Sequence, residues 1–369
     1  MKSEIKAALI LGIIITIGIS AISIVLSTFD TTTLSSDKSF EIKPTEKINK
    51  SGFKMAPDLI GIAYYLNTTP EELAKEIKGK VVLYDFWTYS CINCIRTLPY
   101  ITAWDAKYSD QGLLIVGIHS PEFEFEKDPE NVKMAIAKHG INYPVVLDND
   151  MKTWKAFDNK YWPRKYIADY EGYLRYDHIG EGGYKETEKI IQELLDERAT
   201  ALGIQMTPKE SLVDIKEFES STFRTPELYF GYKFAQNRNQ LGSEEGFQPE
   251  KIVSYSEPIN IDLHKFYPIG DWKNYEDKME LASNTGSIKL LYTAKEVNIV
   301  TDNQAELEII LDGKPLPPEY SGSDISSGNT LKVSEAGLYN IIKSEISSTH
   351  TIEIKISGKG FQIFTFTFG

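Results

Sequence analysis

The sequence predicts an α/β layer with a mixed sheet, followed by an all-β domain of the sandwich or jelly-roll kind. Three observations carry this. From about residue 56 to 195, apolar runs of strand length alternate with amphipathic stretches of helix length, the pattern of helices laid on a sheet. From residue 286 onward, short alternating strands such as Thr351-Ile-Glu-Ile-Lys-Ile356 follow one another across turn residues, so each has one wet and one buried face. A polar, charged stretch at 206–221 separates the two patterns. At 369 residues the chain has room for two domains, each with its own core.

The elements follow in order. Residues 7–26 are uncharged and match the roughly 20 residues that span a hydrocarbon core. With Lys2 and Lys6 on the short side, they read as a transmembrane signal anchor over 1–27 that places the remainder outside the membrane. The Thr-, Ser-, Lys- and Glu-rich stretch 28–55 reads as a solvated tether. The first domain, 56–198, opens its readable pattern with a buried strand at 80–87 and a helix at 92–107 interrupted by Pro99. A second buried strand at 113–118 precedes a helix at 129–139, opened by Asp128 and Pro129 and closed by Gly140. A short strand at 143–147, a hairpin of 165–168 with 174–179, and an amphipathic helix at 184–195 complete it. A linker is expected at 199–224. The second domain, 225–369, carries strands at 288–292, 297–300, 305–311, 330–333, 351–356 and 362–368.

Composition excludes several functions. Forty basic against 53 acidic residues give a net charge of −13. That is a poor match to nucleic acid, whose binding rests on Lys and Arg clusters. The only cysteines are Cys91 and Cys94, so neither a disulfide framework nor a four-cysteine zinc site is available. The five histidines are scattered rather than paired at ligand spacing, and no metal or cofactor is expected.

The chemistry therefore centres on Cys91-Ile92-Asn93-Cys94, which follows a buried strand and opens a helix. At a helix N-terminus, unpaired N–H groups and the dipole stabilise a thiolate, the attacking species in disulfide exchange. Cys91 is then the nucleophile, and Cys94, one turn in, resolves the mixed disulfide. Asp85 lies within the apolar strand six residues before Cys91. Burial there raises a carboxyl's proton affinity, so Asp85 is a candidate acceptor for the Cys94 proton through a water; a surface-paired strand-end acid is the alternative. The pattern alone assigns the Trp162–Pro163 bond as trans. In the second domain Tyr229, Tyr232, Trp272 and Tyr275 fit sugar stacking, although aromatics in a β-sandwich more often form its core.

The run Asp85-Phe-Trp-Thr-Tyr-Ser-Cys-Ile-Asn-Cys94, Pro99 and Trp162-Pro163 together resemble the thioredoxin superfamily. More closely, the chain resembles its TlpA/DipZ-type membrane-tethered redoxins. Gly117-Ile-His-Ser-Pro-Glu-Phe-Glu-Phe-Glu126 and Thr225-Pro-Glu-Leu-Tyr-Phe-Gly-Tyr232 resemble the DipZ branch and the entry to its carbohydrate-binding-module-like β domain. The resemblance implies a thioredoxin fold with a cis Pro163 where substrate backbone docks, and Trp87, Tyr89 and Trp162 as substrate contacts. It also implies extracytoplasmic disulfide-containing proteins as partners, an unidentified membrane electron donor, and a glycan as ligand of the β domain. A peroxiredoxin-like peroxidase is the nearest rival. It needs a proline where this chain has Tyr84, though Thr88 does stand three residues before Cys91.

Overall fold

A computed structural model describes residues 49–205, 211–218, 224–326 and 328–369. The predicted anchor and most of the tether lie outside the described residues. Among those described, no helix is long and apolar enough to cross a membrane.

The first domain is built around β2 (Val81–Trp87), a strand buried at all seven positions. Its neighbours are β3 (Leu113–His119), parallel to it, and β5 (Arg164–Ala168), antiparallel. With β1 (Tyr64–Leu66), β4 (Val145–Leu147) and β6 (Leu174–Ile179), the sheet order is β1-β4-β3-β2-β5-β6. Strands covered on both faces read as continuous apolar runs, which is why β2 and β3 were legible. Strand β1 was not: it has three residues and lies on the sheet edge.

Alternation along β2 divides the core. Val81, Leu83 and Trp87 face one helical layer, formed by α2 (Ile92–Tyr108), α3 (Pro129–His139) and α5 (Tyr184–Leu202). Val82, Tyr84 and Phe86 face the other, against α1 (Pro70–Glu76) and α4 (Lys152–Ala156). Asp85 takes the first face, the one that also receives Cys94.

The second domain is all-β, as expected. Ten strands of its described residues, β7 to β16 in chain order, form one continuous hydrogen-bonded sheet; the shorter ones include β7 (Leu228–Tyr229), β8 (Ile252–Tyr255), β12 (Ala305–Leu311), β13 (Lys314–Pro315) and β14 (Thr330–Val333). Two of the ten are long, β11 (Thr285–Asp302) and β15 (Gly337–Ser357), and they pair along most of their length. The segments predicted at 288–292 and 297–300 are both parts of β11. Register shifts at Ala294/Glu296 and Val297/Asn298 bend that strand and conceal its continuity from a period-2 reading. Strand β11 also pairs with β9 (Phe266–Asn274) at one end and β16 (Gln362–Phe368) at the other, while β10 (Met279–Leu281) joins β9 to β16. The sheet thereby folds over onto its own core.

The linker also differs from expectation. Residues 199–202 still belong to α5, and residues 211–218 lie on the first domain. Val213 and Ile215 pack against its core, the Val213 N–H donates to Glu188 Oε2 at 2.9 Å, and Tyr100 Oη donates to the Ile215 carbonyl at 3.0 Å. Phe218 lies under the Arg96 guanidinium, 3.4 Å from it. Residues 206–210 and 219–223 lie outside the described residues.

The two domains interlock. Phe123, from the loop after β3, belongs to the β-domain core, with its ring 4.9 Å from Phe364. Arg96 on α2 pairs with Glu296 on β11 at 2.7 Å. Tyr89 Oη donates to the Ala336 carbonyl at 3.4 Å.

Candidate active site

Cys91 is the N-cap of α2, extended at φ −80° and ψ 114°, and its sulfur accepts the Cys94 N–H at 3.3 Å. One of the unpaired donors of the helix start is thus aimed at the nucleophile, the arrangement that stabilises a thiolate. Cys91 is half-buried and Cys94 is 1% exposed, and both are free thiols. Burial pushes the Cys94 thiol well up, and the neighbouring Cys91 sulfur adds to this. Cys94 therefore holds its proton until the resolving step.

Asp85 is 1% exposed, and its Oδ1 has no protein hydrogen-bond partner. Burial raises its carboxyl to about 6, opposed by the charge of Lys165. The ladder explains the opposition: Asp85 stands directly across from Lys165 on β5. A Lys inside the strand Arg-Lys-Tyr-Ile-Ala gave no sequence sign of burial, yet Lys165 is fully buried.

The Trp162–Pro163 bond is cis, unlike the reading from pattern alone. Arg164 pairs with Phe86, so Pro163 lies one step further along the ladder, beside the end of β2 from which the chain runs to Cys91. The Pro163 carbonyl accepts Gly180 N–H at 2.8 Å. Trp162 is half-buried, donates from Nε1 to the Ser120 carbonyl at 3.0 Å, and packs 4.2 Å from Trp154.

Two expected substrate contacts need correction. Trp87 is fully buried, edge-on to His119 at 5.2 Å, with no surface to offer a ligand. Its place at the end of β2 on the core face puts it under the site rather than at its mouth. Tyr89 is 8% exposed, stacked on His119 and capped by the β domain through Ala336. It is a packing residue in this conformation.

Two further groups were not identified from sequence. His119 is fully buried, and burial lowers it to about 3, so it is neutral. Its Nε2 accepts the Tyr89 N–H at 3.4 Å and lies 3.3 Å from Thr88 Oγ1, which anchors the turn leading into Cys91. Glu126 is also fully buried. It accepts Ser90 Oγ at 2.6 Å and the N–H groups of Glu122 and Phe123 at 2.6 and 3.0 Å, tying the loop after β3 to the residue before Cys91. Pairing partners so far apart in sequence leave no local signal. In the β domain, Trp272 is fully buried and Tyr229 is 6% exposed, so neither is free to stack on a sugar.

Comparison with known proteins agrees with this geometry. Residues 50–195 match the Redoxin family, and residues 225–369 match the family described as Thioredoxin like C-terminal domain. Protein DipZ of Mycobacterium tuberculosis is 35% identical over 317 residues, 85% of this chain and 43% of DipZ. The chain thus spans less than half the length of that relative. The thiol-disulfide oxidoreductase YkuV of Bacillus subtilis is 36% identical over 143 residues, 38% of this chain and 94% of YkuV. A solution structure of a thioredoxin-like protein in its oxidized form is 35% identical, with a TM-score of 0.36, covering 39% of this chain and 97% of that one. A Cys-x-x-Cys that caps the helix following the central strand, together with relatives that match across either one domain or both, places this chain in the thioredoxin superfamily, among its TlpA/DipZ-like members.

Proposed function

We propose that this protein reduces disulfides of extracytoplasmic proteins through the Cys91/Cys94 pair. The observation that carries the reading is Cys91 at the N-cap of α2, accepting the Cys94 N–H, with a buried second thiol one turn inside. The Cys91 thiolate attacks a substrate sulfur, and the substrate's other sulfur leaves as a thiol. Cys94 then gives up its proton to Asp85 through an intervening water, and its sulfur attacks Cys91, releasing the second substrate thiol. The chain's dithiol becomes a disulfide and the substrate's disulfide a dithiol. Pro163, beside the end of β2, receives the substrate backbone, and Trp162 flanks it.

The reducing direction is supported by the uncharged Ile92 and Asn93 between the cysteines. A basic residue there would further stabilise the thiolate and make the disulfide more oxidising. The potential is expected nearer the roughly −270 mV of thioredoxin than the roughly −120 mV of DsbA. Equilibration of the chain with a glutathione series tests this. A value above about −160 mV, toward the strong-oxidant end of that scale, makes the protein an oxidase instead. The apolar stretch 7–26 supports a single membrane anchor, with a membrane protein as electron donor. A glycan ligand for the β domain has one supporting feature, the half-buried Tyr275 lining a cleft of about 1190 Å³ together with Phe234 and Trp154. Loss of cell-wall glycan retention in Tyr275→Ala is the outcome expected.

A further inference from the structure

We infer that the β domain takes part in choosing the substrate. Its residues 334–339 and helix α3 of the first domain enclose a groove beside Cys91, which receives an apolar side chain of the substrate polypeptide close to its reactive cysteine. This deepens the disulfide-reductase reading and rests on it.

The groove begins where α2 leaves the active site. Cys91 caps the helix, and its carbonyl accepts the Ile95 N–H at 3.0 Å. Residues four apart on a helix share a face, so Ile95 follows the nucleophile on the same side, about 6 Å along the axis. Ile95 and Tyr89 line a groove of about 300 Å³, at the small end of the range for ligand sites. One wall is α3, through Met134 and Ala135. The other is the β domain, through Leu338 and Tyr339 at the start of β15 and the turn before them. Neither domain makes this groove alone.

The β-domain wall is held in place. Tyr339 Oη donates to the Glu335 carbonyl at 2.8 Å and accepts the Glu335 N–H at 3.2 Å, closing the turn on itself. The bond from Tyr89 Oη to the Ala336 carbonyl fastens that turn to the segment leading into Cys91. The Asn340 N–H donates to Asp324 at 2.7 Å. The α3 wall is adaptable. Met134 is 44% exposed, and a long thioether side chain adjusts to different apolar partners. One exposed methionine is ordinary by itself. Here it shares a groove with half-buried Ile95, Leu338 and Tyr339.

The occupant follows from the chemistry at the end of the groove. A substrate joined to Cys91 by a disulfide brings its own chain within reach of Ile95. Pro163 lies on the β5 flank of β2, whereas Tyr89 stacks on His119 of β3, so the groove opens on the opposite flank. A chain that docks over Pro163 and crosses Cys91 is therefore directed between α3 and the β domain. An extended chain advances about 3.3 Å per residue with alternate side chains on one face, so the side chain two residues from the reactive cysteine meets Ile95. The lining selects Leu, Met or Phe there over a polar residue, whose lost hydration would go uncompensated between Met134 and Leu338. Lys138 and Glu335 carry opposite charges at the rim, so the rim selects no charge.

The test uses the full chain with hydroxyethyl disulfide and two synthetic peptide disulfides. The peptides differ only in carrying Leu or Ser two residues to either side of the cysteine. Wild type is expected to reduce the Leu peptide with a kcat/KM about 10-fold above that for the Ser peptide, the effect of partly burying one aliphatic side chain. Met134→Glu and Leu338→Glu each bring that ratio toward one. Hydroxyethyl disulfide has no flanking chain, and rates with it normalise the variants for any general loss. Equal rates for the two peptides in wild type, or a ratio unmoved in either variant, overturn the inference. The part played by the β domain has its own readout. A peptide with benzoylphenylalanine two residues from its cysteine is trapped on Cys91 of the Cys94→Ser chain and illuminated. Cross-links are expected within residues 334–339, and cross-links confined to residues 49–205 overturn the assignment. Absence of any trapped mixed disulfide, with no reduction of hydroxyethyl disulfide by wild type, overturns the reductase reading itself and is seen before the peptides are compared.

Discussion

The two halves of the molecule treat buried polarity in opposite ways. Away from the junction, where Glu227 is half-buried, the buried polar side chains among the described residues of the β half are uncharged: Thr225, Gln240, Asn274, Ser287, Asn298, Thr301, Thr365 and Thr367. The thioredoxin-like half buries Asp85, Glu126, Asp148, Lys165, Asp169 and Glu188, and also His119. Burying a charge is costly, so each requires an explanation. Most have a structural one. Asp148 accepts three backbone N–H groups at the start of α4, Asp169 pairs with Lys50 and Arg175, and Glu188 accepts Tyr108 Oη at 2.6 Å. Asp85 is the carboxylate among them left with an oxygen lacking a protein partner. The comparison teaches that burial alone does not mark function. Burial with incomplete satisfaction beside the redox pair does.

The largest expected effect is at the pair. Cys91→Ser abolishes disulfide reduction, whereas Cys94→Ser accumulates mixed disulfides that non-reducing electrophoresis detects. Trapping by both variants alike would break the assignment of roles. Next comes Asp85. Its acceptor form is lost as pH falls through about 6, so release of the mixed disulfide slows in acid in the wild type. Asp85→Asn is expected to slow release by about 10²-fold near neutral pH and to flatten that profile. A profile that survives the substitution assigns the acid limb to another group.

A core substitution in the β half sharpens the contrast from the other side. Phe364→Ala removes a ring packed against Phe123 and Phe125 and is expected to cost about 3–5 kcal/mol in unfolding experiments. The reaction of Cys91 with a small disulfide should be nearly unaffected. A comparable loss of that chemistry would mean the β half shapes the site more deeply than packing alone.

The smallest effect concerns the junction. Tyr229 Oη lies 2.9 Å from both Glu122 and Glu227, and its single proton can serve only one of them. Burial raises the carboxyls of both, and that of Glu126. Groups raised on folding contribute stability that is complete below their unfolded value, near 4.5, and lost as pH climbs through the folded value. Thermal melts are therefore expected to decline from pH 4.5 toward neutrality. Glu227→Gln is expected to reduce that decline, and an unchanged slope would remove the junction from the account.

The sequence alone determined the order from β2 to β4 and from β5 to α5 in the first half, because β2 and β3 are apolar runs and α3 carries its own cap and stop residues, but it did not reveal the short β1, α1 and α4. It also determined the redox pair, since a two-residue spacing at a helix start is a local property. The tertiary structure decided what pairing across the sheet brings together. Lys165 against Asp85, His119 under the Thr88–Tyr89 turn, and Glu126 on Ser90 each join residues 30 to 80 positions apart. No window of a few residues records such a partner. For the same reason β11 was read as two strands, since its bulges break the local period while long-range pairing with β15 continues past them. Trp87 and Tyr89, expected as substrate contacts on the family resemblance, are held in the interior by strand alternation and by the β domain packed over Tyr89.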